Sequence, residues 1–140
     1  MKILGLDLGS VTLGIAISDS LGIIAMGVET FRFPPERYDL ALERVKEVVK
    51  EKKVDKIVLG YPKHMNGDIG EKALLCENFK SKIEESLNIE VILMDERMTT
   101  MVANARLLEA DISRKKRKKV IDKMAAVVIL QNYLDSKGGH

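Results

Sequence analysis

The chain has 140 residues, of which 46% are hydrophobic, and its formal net charge is +2. This length fits one domain over 1–136, with a flexible tail at 137–140, and suffices to bury well over half of the unfolded chain's surface. The single cysteine, Cys76, excludes an intramolecular disulfide framework, and we expect it to be a packed small hydrophobe. No apolar run reaches the ~18 residues of a membrane span, so we expect a soluble cytoplasmic protein.

The first stretch, 3–19, reads as two apolar strands joined by a turn that contains glycine. Asp7 stands among leucines in the first strand, where an isolated charge is costly, so the position favours a bound cation. Gly5, Gly9 and Gly14 allow sharp turns and close approach to the backbone, which suits phosphate or metal-phosphate at a β-hairpin. The structural alternative is an Asp7 side chain that caps the turn.

The later elements follow from apolar periodicity and from turn residues. The strands are predicted at 22–31, 54–60 and 90–94, and a loop at 61–70 follows the second of these. Two helices are predicted from apolar residues at helical spacing: one after Pro35, with Tyr38, Leu42, Val45 and Val49, and one after the loop, with Leu75, Phe79, Ile83 and Leu87. Two more helices are predicted at 98–110 and 120–136. The order βββαβαβαα predicts an α/β protein with a five-stranded mixed sheet, an antiparallel three-strand meander plus parallel strands, flanked by helices.

Two further carboxylates are candidates for the same site as Asp7. Ligands bind beyond the carboxyl ends of parallel strands, and Glu96 directly follows the fifth strand. Asp122 shares the apolar face of the last helix with Ala126 and Ile129, and the small alanine side chain lets a helix approach a sheet closely. Three carboxylates form an oxygen-rich site that suits Mg²⁺ or Mn²⁺ better than zinc. Without that arrangement, Glu96 and Asp122 are acids near helix starts.

The positive charge is concentrated in one run of six residues, 114–119, so the other 134 residues carry a formal net charge of −4. Such a run is either a solvated loop or a contact for the backbone of a nucleic acid. The absence of tryptophan argues against a broad stacking platform for single strands. His64, in the loop at 61–70, either hydrogen-bonds a substrate or is solvated, and the lack of an evident partner favours the second interpretation.

Five short motifs extend along nearly the whole chain. They are Gly5-Leu-Asp-Leu-Gly9, Gly14-Ile-Ala-Ile-Ser-Asp19, Gly60-Tyr-Pro-Lys63 with Asn66-Gly67, Asp95-Glu-Arg-Met-Thr-Thr100 with Ala103, and Asp122-Lys-Met-Ala-Ala126 with Leu130-Gln131. In this order and spacing they resemble the YqgF/RuvX family of pre-16S rRNA nucleases, formerly described as Holliday junction resolvases. The resemblance covers 2–135 and implies an RNase H-like fold, a cytoplasmic location, and processing of the 5′ end of pre-16S rRNA in ribosome biogenesis.

The resemblance also implies roles for individual residues. Asp7, Glu96 and Asp122 would hold two divalent metal ions, Mg²⁺ or Mn²⁺, with Asp7 as the bridging ligand, and hydrolysis would leave a 5′-phosphate and a 3′-hydroxyl. Cationic and hydroxyl side chains would contact the nucleic acid, and these are Lys63, Arg97, Thr99, Thr100, Arg114, Lys115, Lys116, Arg117, Lys118 and Lys119.

Three departures from the family pattern bear on the site. The hairpin turn at 10–13 lacks the basic residues that members often carry, and His64 stands where asparagine is frequent. No acid follows Asp122 by one helical turn, which leaves Asp19 or Asp95 as a candidate fourth ligand.

Several functional alternatives therefore stay open at this point. The substrate is pre-rRNA, alone or within a pre-ribosomal particle, or branched DNA cut as by a Holliday junction resolvase. A non-catalytic RNA-binding maturation factor is a second class of function, and an actin-like ATPase or kinase a third. The protein is expected to be a monomer or a homodimer with no membrane partner.

Overall fold

A five-stranded mixed sheet forms the centre of the protein in the computed structural model, which describes residues 2–61, 70–95 and 125–136. Its strands are β1 (Ile3–Leu8), β2 (Thr12–Ser18), β3 (Ala25–Arg32), β4 (Lys56–Tyr61) and β5 (Val91–Asp95). They lie in the order β3-β2-β1-β4-β5, with antiparallel β1–β2 and β2–β3 pairs and parallel β1–β4 and β4–β5 pairs. The predicted meander and parallel strands are confirmed.

Helices cover both faces of this sheet. Among the described residues they are α1 (Tyr38–Lys52), α2 (Glu71–Leu87) and a helical segment at 125–136. The helix predicted at 98–110, the first residues of the helix predicted at 120–136, and most of the loop predicted at 61–70 lie outside the described residues.

Side-chain alternation along β1 separates two apolar cores. Leu4, Leu6 and Leu8 are buried on one face, in a cluster with residues of α1 and α2. Ile3 points to the other face and is buried in a second cluster with residues of the segment 125–136. β1 is therefore covered on both sides, as the near-continuous apolar sequence of a central strand requires.

The apolar faces predicted for the first two helices are confirmed. Val45 and Val49 of α1 are buried, as are Phe79 and Ile83 of α2. Cys76 is 1% exposed within the same core, which agrees with the prediction of a packed small hydrophobe. Over the ranges that the structure covers, there is no helix with the length and apolar character needed to span a bilayer.

The third strand begins later than predicted, at Ala25, because the preceding residues form a hydrogen-bonded turn. Asp19 Oδ1 accepts hydrogen bonds from the backbone N–H groups of Ile23 (2.7 Å) and Ile24 (3.1 Å). Gln131 Nε2 donates to the Ile23 carbonyl (2.9 Å), and Gln131 Oε1 accepts from the Ala25 N–H (2.9 Å). The turn therefore holds its backbone in place while the two isoleucine side chains stay more than half exposed.

Candidate active site

The carboxylate of Asp7 lies near the carboxyl end of β1, the central strand of the sheet. Asp7 is half-buried, and its partner in the β1–β2 register is Gly14. On the opposite side, the β1–β4 register pairs Leu6 with Leu59, so Gly60 is the next position of β4 alongside Asp7. Neither neighbouring strand places a side chain beside the carboxylate, and glycine at such positions is typical of sites where a ligand approaches closely.

The helical segment 125–136 packs on the face of the sheet that carries Asp7. Gly5 lies two residues before Asp7 and hence on the same face. A Cβ added at Gly5 would lie 2.7 Å from Leu130 Cβ and 3.1 Å from the carbonyl oxygen of Ala126. The helix therefore touches the backbone of β1, and only glycine leaves room for it there.

The direction of this helix is set by contacts at its other end. Lys56 Nζ, at the start of β4, donates a hydrogen bond of 3.5 Å to the Tyr133 hydroxyl, and Lys56 is the register partner of Ile3. Leu130 and Ala126 precede Tyr133 in the helix, and they contact the sheet at Gly5, two residues beyond Ile3 in β1. The helix therefore runs antiparallel to β1, with its amino-terminal end toward Asp7.

The strand β5 presents its even-numbered residues on the same face as Asp7. Ile92 and Met94 pack against the cluster that includes the segment 125–136, whereas Leu93 packs against the cluster of α1 and α2. Met94 is the register partner of Gly60, which places it in the row of residues next to Asp7. The carboxyl ends of β1, β4 and β5 thus meet at one edge of the sheet.

Tyr61 ends β4 at this edge and joins it to α2. Burial raises the pKa of the Tyr61 hydroxyl above its ordinary value, and the negative charge of Glu77, to which the hydroxyl hydrogen-bonds, raises it further. The Tyr61 hydroxyl is therefore protonated at neutral pH. Among the described residues, Glu77 Oε2 is buried without a hydrogen-bond partner.

A groove of about 380 Å³ opens at the same edge on the side of α1 and α2. It is lined by Gly9 and Ser10 of the β1–β2 turn, by Tyr38 at the start of α1, and by Lys72 and Leu75 of α2. Among the described residues, the groove thus combines the apolar surfaces of Tyr38 and Leu75 with the Lys72 cation and the hydroxyl groups of Ser10 and Tyr38. This cavity was not predicted from the sequence, because it depends on the packing of three elements that are distant along the chain.

The predicted site residues are described only in part. Asp7 lies at the predicted edge, whereas Glu96 and Asp122 lie outside the described residues. The same is true of all the predicted nucleic-acid contacts, namely Lys63, Arg97, Thr99, Thr100 and the run 114–119. Within 2–61, 70–95 and 125–136, no three His, Cys, Asp or Glu side chains are grouped closely enough to hold a metal ion.

Asp19 does not lie near Asp7. It follows Ser18, whose hydroxyl accepts a 2.8 Å hydrogen bond from the N–H of Ile3 at the opposite end of β1. Its carboxylate is engaged with the backbone of the β2–β3 turn. Of the two candidates for a fourth acidic ligand, the structure therefore excludes Asp19, and the side chain of Asp95 is not described.

The same arrangement of strands and helices occurs in solved structures of resolvases. The chain superposes on T. thermophilus RuvC in complex with a Holliday junction substrate with a TM-score of 0.63 at 15% identity, covering 99% of this chain and 96% of that one. The fowlpox virus Holliday junction resolvase gives a TM-score of 0.63 at 14% identity, with coverages of 97% and 99%. This similarity defines the fold as RNase H-like, as expected from the sequence.

Sequence comparison then gives the family. Residues 1–136 match the RuvX family, described as Holliday junction resolvase, and the chain belongs to this family. It is 56% identical over 137 residues to a Bacillus cytotoxicus protein named "Putative pre-16S rRNA nuclease", a match that covers 98% of this chain and 100% of that protein. The chain is accordingly an enzyme of the nuclease class, which confirms the resemblance identified from its motifs.

Proposed function

We propose that this protein is a metal-dependent nuclease that hydrolyses phosphodiester bonds at the 5′ end of pre-16S rRNA during ribosome biogenesis in the cytoplasm. The name of the Bacillus cytotoxicus relative supports the choice of substrate. The observation that carries the proposal is the half-buried Asp7 carboxylate, which lies at the carboxyl edge of the central strand with glycine on both flanks.

Two features of the described residues support Glu96 and Asp122 as partners of Asp7. The even-numbered residues of β5 share the face of Asp7, and Glu96 is the next even-numbered position after Met94. The segment 125–136 runs with its amino-terminal end toward Asp7, and Asp122 precedes it by three residues in the sequence. Strand alternation and helix direction thus both favour a cluster of three carboxylates.

This donor set fits a hard divalent cation. Asp7, Glu96 and Asp122 would hold Mg²⁺ or Mn²⁺, in keeping with the preference of these ions for carboxylate oxygens. Two bound ions would supply an activated water and charge stabilisation at the leaving oxygen. The backbone at Asp7 is held by β-sheet pairing on both sides and by the leucines buried on the opposite face of β1. Asp7 would therefore be the ligand that fixes the orientation of the site.

The remaining predicted residues would bind the substrate. Lys63, Arg97, Thr99 and Thr100 belong to the motifs that include or follow the ends of β4 and β5 in the sequence, and 114–119 is the most basic run of the chain. Such a run gives affinity for a phosphate backbone without sequence specificity.

The test compares Asp7→Asn with Asp19→Asn, which is the same substitution at the opposite end of the same sheet. End-labelled pre-16S 5′-leader RNA and a four-way DNA junction are each incubated with the proteins in Mg²⁺, Mn²⁺ or EDTA. We expect cleavage by the wild type and by Asp19→Asn only with a metal ion, and a loss of about 10³-fold for Asp7→Asn, because one ligand of the metal ions is weakened. Metal-dependent cleavage that survives in Asp7→Asn would refute the assignment.

A resolvase is the second candidate, favoured by the description of the RuvX family. Preferential cleavage of the four-way junction would decide for it. Salt-sensitive binding of RNA without cleavage of either substrate would instead favour the non-catalytic maturation factor, since the basic run 114–119 would bind a phosphate backbone without needing a metal ion.

A further inference from the structure

We infer that the groove between the β1–β2 turn, α1 and α2 binds one nucleotide of the substrate strand beside the bond that is cleaved. Lys72 and Ser10 would contact its phosphate, and Tyr38 and Leu75 its base. The inference rests on the proposed nuclease function, because it places the groove on the path of that substrate.

The chemistry of the lining fits a nucleotide. Its volume of about 380 Å³ lies in the range of about 300–1,000 Å³ that is typical of small-molecule sites. Lys72 supplies a cation and Ser10 a hydroxyl donor, which are common partners of phosphate oxygens. Tyr38 and Leu75 supply an aromatic and an aliphatic surface, and stacking on an aromatic ring accepts any base.

The walls of the groove are held in place before any ligand binds. The Tyr38 ring packs edge-on against Phe33, with ring centroids 5.5 Å apart and an interplanar angle of 64°. The turn is closed by a 2.7 Å hydrogen bond from the N–H of Gly9 to the carbonyl of Thr12. It is also joined to the end of β3 by a 3.0 Å bond from the Phe33 N–H to the Val11 carbonyl. A preorganised wall reduces the entropic cost of ordering a ligand.

The groove lies at the right distance from Asp7 for a neighbouring nucleotide. Gly9 and Ser10 are two and three residues beyond Asp7, which keeps their backbone within about 7–10 Å of it, since a fully extended chain spans ~3.3 Å per residue. The groove faces α1 and α2, whereas Asp7 faces the segment 125–136. A strand bound to both therefore crosses the carboxyl edge of the sheet over the β1–β2 turn.

The contribution of the Lys72 charge to RNA binding is tested by comparing Lys72→Gln with Lys82→Gln. Both lysines are exposed on α2, and they are ten positions apart, which separates them by about 15 Å along the helix. Binding of a labelled single-stranded RNA is measured by fluorescence anisotropy in EDTA at several salt concentrations. We expect Lys72→Gln to weaken binding by about 3–10-fold and to reduce the salt slope by about one, while Lys82→Gln changes binding less than about twofold.

The stacking surface is tested with Tyr38→Leu, for which Tyr38→Phe is the control that keeps the ring. We expect Tyr38→Leu to weaken binding by about 5-fold or more and Tyr38→Phe to bind as the wild type does. Equal effects of the two lysine variants, or of the two Tyr38 variants, would overturn the inference. Displacement of the strand by an equal concentration of a free mononucleotide would also overturn it, because the groove would then be a nucleotide site independent of the strand.

The cleavage assay separates this inference from the proposed function. If the wild type cleaves RNA and Lys72→Gln binds and cleaves as the wild type does, the groove assignment fails and the nuclease stands. If the wild type cleaves nothing and Lys72→Gln still weakens RNA binding, the groove assignment stands and the nuclease fails.

Discussion

Replacing Gly5 with alanine tests the contact that brings the segment 125–136 to the sheet. The new Cβ would lie 2.7 Å from Leu130 Cβ, whereas carbon atoms in contact prefer about 3.5–4.0 Å, so the helix or the strand must yield by about 1 Å. Leu130 Cβ and the Ala126 carbonyl oxygen lie at the helix backbone, so a change of rotamer cannot relieve the overlap. Overpacking of this kind costs about 1–3 kcal/mol.

The expected net effect is smaller than the cost of overpacking, since alanine restricts the unfolded chain and returns about 0.4–1 kcal/mol. We therefore expect Gly5→Ala to lower the free energy of unfolding by about 1–2 kcal/mol and the melting temperature by about 3–6 °C. Urea denaturation should show a lower midpoint with an unchanged slope. If the helix moves instead of melting, cleavage should fall by about 10–100-fold, because a 1 Å displacement near the site misaligns the reacting groups.

Gly9→Ala is the control for this substitution, in the same stretch of chain. There the added Cβ would meet the Thr12 hydroxyl at 2.9 Å, and that oxygen can move by rotation about one bond. We expect a change in unfolding free energy within about 0.5 kcal/mol. Equal destabilisation by Gly5→Ala and Gly9→Ala, or a fully stable Gly5→Ala, would show that the helix does not limit the space above β1.

Two further predictions concern the β2–β3 turn. Hydrogen bonds from the N–H groups of Ile23 and Ile24 lower the pKa of the Asp19 carboxyl, so its stabilising contribution is present above about pH 4 and is lost as the pH falls through the lowered pKa. Asp19→Asn should therefore be less stable than the wild type at neutral pH, and this difference should narrow as the pH falls below about 4, as measured by denaturation midpoints; a difference that does not depend on pH would contradict the role of its charge. Gln131→Ala removes two hydrogen bonds to the turn, and we expect a loss of about 1 kcal/mol with faster amide exchange at Ala25; unchanged exchange there would show that Gln131 does not hold the turn.

The same turn shows why a prediction from local sequence pattern stops short. The residues from Gly22 to Ala25 are apolar enough to be read as the start of a strand, and the sequence alone gives no reason to exclude Ile23 and Ile24 from it. The backbone is taken out of the sheet by the carboxylate of Asp19 and by the amide of Gln131, which lies 108 residues from Ile23. A contact over that sequence distance leaves no periodic signal.

The candidate site, too, could be predicted only where the argument needed local sequence alone. Asp7 stood out because a carboxylate among leucines is costly, and that argument needs only local sequence. Its flank of Gly60 could not be predicted in the same way, because it depends on the parallel register between β1 and β4, which lie some 50 residues apart. The groove at Lys72 depends likewise on how α2 docks beside the β1–β2 turn.

The glycines around Asp7 serve two different purposes. Glycine inside a strand is destabilising by about 0.5–1 kcal/mol relative to alanine, so three of them in central strands call for a cause. Gly5 is explained by packing, since the helix 125–136 occupies the space of its side chain. Gly14 and Gly60 flank the carboxylate instead, one on each neighbouring strand. Under the proposed function, approach of the substrate to Asp7 would account for these two positions and for the stability that the strands lose there.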